Sequence, residues 1–117
     1  MSKILVTGGA GFVGTNLIAE LKKRGHDISV CDLTHSEKPN TMRCDITKYQ
    51  QLERLFDGQK LDYVYHLAAE YGRWNGEDYY ENFWLTNVVG TKNIIRLQEK
   101  LKFKLIFFSS AEVYGDY

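Results

Sequence analysis

The chain of 117 residues predicts an α/β fold with a doubly wound parallel sheet in the strand order 3-2-1-4-5. Two observations carry this prediction. Short apolar runs alternate with stretches of helical periodicity, which is typical of parallel strands joined by crossover helices. The first apolar run also ends in a cluster of glycines, within which an amphipathic helix pattern begins. That is the strand–turn–helix order of the first unit in a doubly wound sheet.

Local signals predict the elements in turn. Gly25 ends the first helix, and Thr47 followed by Gln50 predicts a capping box at the start of the second. An apolar stripe supports that second helix, formed by Tyr49, Leu52, Leu55 and Phe56. The other two helices are predicted at Phe12–Arg24 and Asn82–Leu101. The strands are predicted at Lys3–Thr7, Asp27–Asp32, Met42–Asp45, Leu61–Leu67 and Lys104–Ser109.

The composition fits one domain over residues 1–117 and argues against several kinds of partner. Lys and Arg together number 15, as do Asp and Glu, so the formal net charge is zero. Nothing electrostatic therefore favours nucleic acid or an anionic membrane as a partner. No apolar run approaches the ~20 residues that cross a bilayer. Strand one begins too early to leave room for a signal peptide, so we expect a cytoplasmic protein.

The two cysteines, Cys31 and Cys44, give no sign of a metal or redox centre. They lack the C-x-x-C spacing of redox pairs, and no histidine is spaced to complete a zinc site with them. We expect two reduced thiols, as in a cytoplasmic protein, and no metal site.

The glycines after the first strand are spaced as a phosphate-binding turn requires. Gly8 can adopt a positive φ for a sharp turn, Gly11 leaves the backbone open to a pyrophosphate, and Gly14 lets the helix approach the sheet. The free N–H groups of the first helical turn and the helix dipole favour a negative ligand. The sequence predicts a dinucleotide site whose pyrophosphate contacts Gly8, Gly11, Phe12, Val13 and Gly14.

Asp32 ends the second strand, 18 residues after Gly14. A carboxylate there can accept hydrogen bonds from the adenosine ribose and repels a 2′-phosphate, which favours NAD over NADP. A solvated aspartate at a strand end is the alternative. Lys38 and Arg43 are near enough in sequence to keep NADP open.

The glycine pattern is G-x-x-G-x-x-G directly after Thr7, whereas the usual dinucleotide fingerprint is G-x-G-x-x-G. Together with the segments 66–69, 86–91 and 106–116, it resembles the extended short-chain dehydrogenase/reductases, the group of NAD-dependent nucleotide-sugar epimerases and dehydratases. The resemblance covers essentially all 117 residues. It implies a Rossmann-type fold, NAD as the cofactor, and an enzyme that transiently oxidises a sugar hydroxyl.

The resemblance also implies residue roles. Asp45 would lie beside the adenine amino group, although an acid at the start of the second helix is equally consistent. Asn87 would organise the cofactor and active-site region. Ser110 would be the active-site hydroxyl that bonds the substrate oxygen, unless the serines after strand five only begin a turn. The strand-four motif would line the adenosine side with Leu67, Ala68 and Ala69.

His66 directly precedes that motif on a strand predicted to be buried on both faces. A hydrogen-bonded core histidine is therefore favoured over a catalytic one. The segment Glu70–Glu81 follows, where loops of this fold carry function. Arg73 and Trp74 would suit a phosphate and a ring of the substrate; aromatic packing on the domain edge is the alternative.

The resembled enzymes use a Tyr-x-x-x-Lys pair, in which the lysine lowers the pKa of the phenol so that it can take a proton. No tyrosine in this sequence has a lysine four residues later. We therefore expect the N-terminal NAD-binding part of such an enzyme, truncated after strand five and inactive alone. The alternative is a non-catalytic dinucleotide-binding sensor or interaction module.

Two surfaces predict a homo-oligomer. Strand five lies at the edge of the predicted sheet, and its run 105–108 is continuously apolar, which makes a template for strand addition. The first half of the helix Asn82–Leu101 is apolar over most of its circumference. In the resembled family this helix helps to form the dimer.

Overall fold

The computed structural model describes residues 1–34, 37–69 and 80–110. It contains a five-stranded parallel sheet in the order β3-β2-β1-β4-β5, which confirms the predicted fold class and strand order. The strands are β1 (Lys3–Thr7), β2 (Asp27–Asp32), β3 (Thr41–Arg43), β4 (Tyr63–His66) and β5 (Lys104–Phe107). The helices are α1 (Phe12–Lys23), α2 (Tyr49–Phe56) and α3 (80–101).

The helices cover both faces of the sheet because side chains alternate along the strands. Leu5 of β1 belongs to the larger core cluster, which includes Phe56 of α2 and Ile94 of α3. Its neighbours Ile4 and Val6 belong to a second cluster, which α1 covers. The site residues that follow β1, β2 and β4 therefore emerge from a sheet buried on both sides.

Three predicted strands are shorter in the structure, while β1 and β2 have their predicted bounds. Leu61 lies before β4 and Cys44 lies after β3, yet both side chains are buried. Apolar character thus continues beyond the hydrogen-bonded ladder, so it overestimates the length of the strands.

The predicted capping box at Thr47 and Gln50 is wrong. The N-cap residue of α2 is Lys48, which makes no side-chain capping bond. The Thr47 hydroxyl instead donates to Asp45 Oδ1 at 2.7 Å. The carboxylate two residues earlier therefore engages the group that was predicted to cap the helix.

The third helix is not the uniform α-helix that the periodicity predicts. It is α-helical over Tyr80–Phe83, π-helical over Trp84–Gly90 and α-helical again over Thr91–Leu101. The π segment ends where Gly90 meets Ile46. A Cβ at Gly90 would lie 2.5 Å from Ile46 Cδ1, so any side chain here would require the Ile46 side chain to move.

The turn from β1 into α1 depends on close backbone contacts. Gly8 has a φ of +69°, and a Cβ there would lie 2.7 Å from the Ala68 nitrogen. A Cβ at Gly14 would lie 2.6 Å from Gly9 Cα. A Cβ at Gly11 would only approach the Gly8 carbonyl oxygen at 3.5 Å, so Gly11 is dispensable for the fold itself.

Replacing Gly14 should therefore destabilise the fold much more than replacing Gly11. We expect Gly14→Ala to lower the free energy of unfolding by about 2 kcal/mol, because the added methyl would press against the backbone of Gly9. Gly11→Ala is the matched control, and at this helix N-cap it should cost less than about 1 kcal/mol. Urea denaturation followed by far-ultraviolet circular dichroism measures both. Equal losses would contradict the packing argument.

Candidate functional site

A cleft of about 540 Å³ opens at the carboxyl ends of β1, β2 and β4. Its lining brings together every predicted cofactor-binding residue except Asn87. These residues are Gly8, Gly11, Phe12, Val13, Gly14, Asp32, Asp45, Leu67, Ala68 and Ala69. Parallel strands end at a common edge, which explains how segments more than 50 residues apart in sequence meet at one site.

The first turn of α1 presents unpaired N–H groups to this cleft. Gly11 is the N-cap residue, and no side chain caps the helix. The Thr15 amide donates to the Gly11 carbonyl at 2.9 Å, which starts the intrahelical bonds beyond the first turn. No acidic residue lies in that turn. The N-terminal end of α1 therefore offers donors and a positive dipole end to an anion.

Asp32 is held at the rim of the cleft by both carboxylate oxygens. Its Oδ2 accepts from the Ala10 amide at 3.0 Å, and its Oδ1 accepts from the Thr34 amide at 3.0 Å. A carboxylate has about four acceptor positions, so further donors can bind. Arg43 is paired with Asp32 in the β2–β3 ladder and is exposed.

Asp45 organises the loop between β3 and α2. Its Oδ1 accepts from both the amide and the hydroxyl of Thr47, at 2.9 and 2.7 Å. Its own amide donates to Gln51 Oε1 at 3.0 Å. Both side-chain bonds use Oδ1, so the loop fixes the carboxylate without engaging Oδ2 in them.

Helix α3 also contacts this loop, at Ile46, the residue after Asp45. The buried Asn93 donates from Nδ2 to the Ile46 carbonyl oxygen at 2.8 Å. Gly90 packs against the Ile46 side chain. Asn93 is not predicted from the sequence, because nothing in the local pattern marks a polar residue whose partner lies 47 residues away.

Thr7, the last residue of β1, is the hub of a second network that the sequence analysis missed. Its Oγ1 accepts from the amides of Leu67 and Ala68 at 3.1 and 3.2 Å. It is also 2.7 Å from His66 Nδ1, and His66 Nε2 is 2.9 Å from Thr91 Oγ1. These hydrogen bonds join the ends of β1 and β4 to α3.

His66 is confirmed as a hydrogen-bonded core residue, with only 3% of its surface exposed. Burial lowers the pKa of its imidazole from 6.5 to about 4. The side chain is therefore neutral at physiological pH and is a hydrogen-bonding element of the core.

The two cysteines lie beneath the cleft, both buried and both free. A hydrogen bond with Cys44 and burial raise the pKa of Cys31, while the same bond lowers the pKa of Cys44.

Among the residues that the structure describes, no cluster of three or more His, Cys, Asp or Glu side chains could hold a metal ion. None of the described helices combines the length and apolarity of a membrane span.

The remaining predicted site residues are placed differently. Asn87 is half-buried in the π segment and does not line the cleft, whereas its neighbour Thr86 does. Ser110 is exposed, three residues past the end of β5, and does not line the cleft either. Arg73 and Trp74 lie outside the described residues.

The neutral state of His66 makes stability depend on pH. Its pKa is about 4 in the folded protein and 6.5 when unfolded, so the unfolded chain binds more protons between those values. The contribution is complete above about pH 6.5 and is lost as the pH falls toward 4. We expect the free energy of unfolding to drop by about 2 kcal/mol between pH 7 and pH 5.

Urea denaturation of wild type, His66→Asn and His26→Asn over this pH range provides the measurement. His26 is half-buried and accepts a bond from the Ser2 amide, so its variant is the matched control and should keep the pH dependence. His66→Asn should flatten it. An unchanged slope in His66→Asn would show that another group titrates.

Comparison with known proteins agrees with this geometry. The model of the NAD dependent epimerase/dehydratase family matches residues 4–117. The chain is 34% identical over 123 residues to the UDP-N-acetyl-alpha-D-glucosaminuronate decarboxylase of Bacillus cytotoxicus, covering 97% of this chain and 38% of that protein. It is 32% identical over 127 residues to the bifunctional protein GAL10 of Kluyveromyces lactis, covering 96% of this chain and 18% of that protein.

Solved structures show the same relationship. The enzyme WbmG of Bordetella bronchiseptica in complex with NAD superposes with a TM-score of 0.85 at 34% identity, covering 97% of this chain and 39% of that chain. The UDP-Glc/GlcNAc 4-epimerase of Campylobacter jejuni superposes with a TM-score of 0.89 at 27% identity, covering 98% of this chain and 39% of that chain. This chain therefore spans about two fifths of the length of these two proteins. The resemblance inferred from the sequence is confirmed: the chain belongs to the NAD-dependent epimerase/dehydratase family.

Proposed function

We propose that the chain forms the NAD-binding part of an enzyme that acts on nucleotide sugars by transient oxidation of a sugar hydroxyl. One observation carries the proposal: the uncapped start of α1 and the carboxylate of Asp32 face the same cleft. The free amides at the start of α1 suit a diphosphate, and the Asp32 carboxylate suits the hydroxyls of a ribose. The cleft volume of about 540 Å³ also suits a small-molecule cofactor.

The residues fit each part of NAD in turn. The amides of Phe12, Val13 and Gly14 would bind the pyrophosphate, which can approach because Gly8 and Gly11 carry no side chain. Asp32 would accept from the ribose hydroxyls with the acceptor positions that Ala10 and Thr34 leave. Asp45 Oδ2 would accept a hydrogen bond from the adenine amino group. The adenosine would lie along Leu67, Ala68 and Ala69.

Substrate chemistry rests on fewer residues. NAD, when bound, supplies the hydride acceptor for oxidation of the sugar. Ser110 would donate a hydrogen bond to the substrate oxygen, Asn87 would order the cofactor side of the active site, and Arg73 and Trp74 would contact the nucleotide sugar. These 117 residues contain no Tyr-x-x-x-Lys pair, so we expect them alone to bind cofactor without turnover. The two free thiols are consistent with a cytoplasmic location.

NADH titration tests the cofactor site. We expect saturable binding, followed by fluorescence, with a preference for NADH over NADPH because Asp32 repels a 2′-phosphate. Asp32→Asn should weaken NADH binding about tenfold, since a charge-assisted bond becomes a neutral one, and should reduce the preference.

Asp27→Asn is the matched control for this titration. Asp27 is exposed at the opposite end of β2, away from the cleft, so its loss should leave both affinities unchanged. Absent NADH binding, or an Asp32→Asn variant that binds as wild type, would refute the cofactor assignment. Turnover of UDP-glucose by these 117 residues alone would refute the expected inactivity.

We also propose that the chain self-associates through α3 and the edge of β5. Trp84 is 62% exposed on the π segment, and Leu85 and Val88 beside it are each 45% exposed. Phe107 and Phe108 are exposed at the end of β5, which is an edge strand of the sheet. Apolar surface of this kind favours association.

Sedimentation velocity across a concentration series measures the association. We expect the average mass to rise with concentration, and Val88→Glu to shift the equilibrium toward monomer by placing a charge in the apolar surface. Lys92→Glu is the control, because Lys92 is already an exposed charge on the same helix. A wild type that stays monomeric at every concentration would contradict this proposal.

A further inference from the structure

The direction of the hydrogen bonds around Thr7 can be deduced from its neighbours. Backbone amides can only donate, so Thr7 Oγ1 accepts from Leu67 and Ala68. A hydroxyl oxygen has two lone pairs, and these two bonds use both. The Thr7 proton is therefore donated to His66 Nδ1 at 2.7 Å. His66 thus carries its own proton on Nε2 and donates it to Thr91 Oγ1 at 2.9 Å.

This chain of bonds ends at the backbone that forms the cleft. Ala68 lines the cleft, and its amide is fixed by Thr7. Gly8 lies so close to Ala68 that a Cβ would fall 2.7 Å from the Ala68 nitrogen. The backbone of the glycine turn therefore packs beside the Ala68 backbone with no room for a side chain between them. The Thr7 hydroxyl is thus linked through Ala68 to the backbone of the glycine turn.

The other end of this series of hydrogen bonds lies on α3. Thr91 follows the π segment directly, and Thr86 of that segment lines the cleft. Because His66 has only 3% of its surface exposed, water does not compete for either ring nitrogen. The imidazole therefore joins the end of β1 to α3 through two hydrogen bonds.

We propose that His66 is a positioning residue for the cofactor: its Nε2–H tautomer holds the Thr7 hydroxyl and Thr91 together, and so sets the pyrophosphate turn. The proposal rests on the assignment of the cleft to NAD. His66 touches no reacting atom in it, and its effect on NAD passes through Thr7, Ala68 and Gly8.

Two substitutions of His66 separate positioning from plain structural support. The amide oxygen of asparagine reaches the region of Nδ1 and can still accept from Thr7, whereas glutamine reaches the region of Nε2. Both variants lose packing and stability. We expect His66→Asn to keep the NADH dissociation constant within about threefold of wild type and His66→Gln to raise it about tenfold, each measured where circular dichroism shows the variant folded.

A second measurement does not depend on replacing the buried ring. Nitrogen NMR of the wild-type histidines should show His66 Nδ1 unprotonated and Nε2 protonated near neutral pH. Thr91→Val removes the acceptor of Nε2–H but leaves the bond to Thr7, so it should raise the NADH dissociation constant by about two- to threefold, as His66→Asn does. Thr91→Ser restores the hydroxyl and should restore the affinity.

The outcomes distinguish this proposal from the function on which it rests. A wild type that does not bind NADH overturns both. A wild type that binds NADH, together with His66→Gln and Thr91→Val variants that bind equally well, overturns only the positioning role. Proton density on Nδ1, or equal losses of affinity in His66→Asn and His66→Gln, also overturns it.

Discussion

The architecture of the cleft depends on the hydroxyl of Thr7 at the end of the central strand. This one oxygen joins the amides of Leu67 and Ala68 to the imidazole of His66, in a position without solvent exposure. β4 ends as a hydrogen-bonded strand at His66, so the Ala68 amide needs an acceptor other than the backbone of β1. The Thr7 hydroxyl supplies it, and the Leu67 amide is shared between this hydroxyl and the Thr7 carbonyl oxygen. The close approach of Gly8 to Ala68 is possible because this bonding holds the two strand ends together.

Helix α3 makes two separate contacts with the elements that surround the cleft. Thr91 hydrogen-bonds to His66, which links it to Thr7 at the end of β1, while Gly90 and Asn93 contact Ile46 next to Asp45, the residue proposed to bind adenine. Three residues of one helix turn thus fix both ends of a site that would hold an extended dinucleotide. The π segment immediately before them is the irregular part of the helix, and π segments are frequent at functional sites.

The sheet order and most of the residues that line the cleft could be predicted from the sequence, because those features have local signatures. Glycines at fixed spacing after an apolar run, and Asp32 at the end of the next strand, are readable without any long-range contact. The Thr7–His66 bond joins residues 59 apart, and the Asn93–Ile46 bond joins residues 47 apart, so neither leaves a local pattern. The capping box failed because Asp45 competed for the Thr47 hydroxyl. Periodicity located the third helix but did not detect the π segment, because the apolar pattern does not distinguish it from α-helix.

The central claim is that the cleft at the start of α1 binds the pyrophosphate and adenosine of NAD. Amide NMR of the labelled protein, titrated with NAD, tests it most directly. The account predicts shifts of the Gly11, Phe12, Val13 and Thr34 amides, which saturate together, while amides at the opposite end of α1 stay unchanged. ADP-ribose should reproduce these shifts, because it keeps the pyrophosphate and the adenosine. Saturable shifts confined to residues outside the cleft, or an unperturbed first turn of α1 at saturating NAD, would contradict the account.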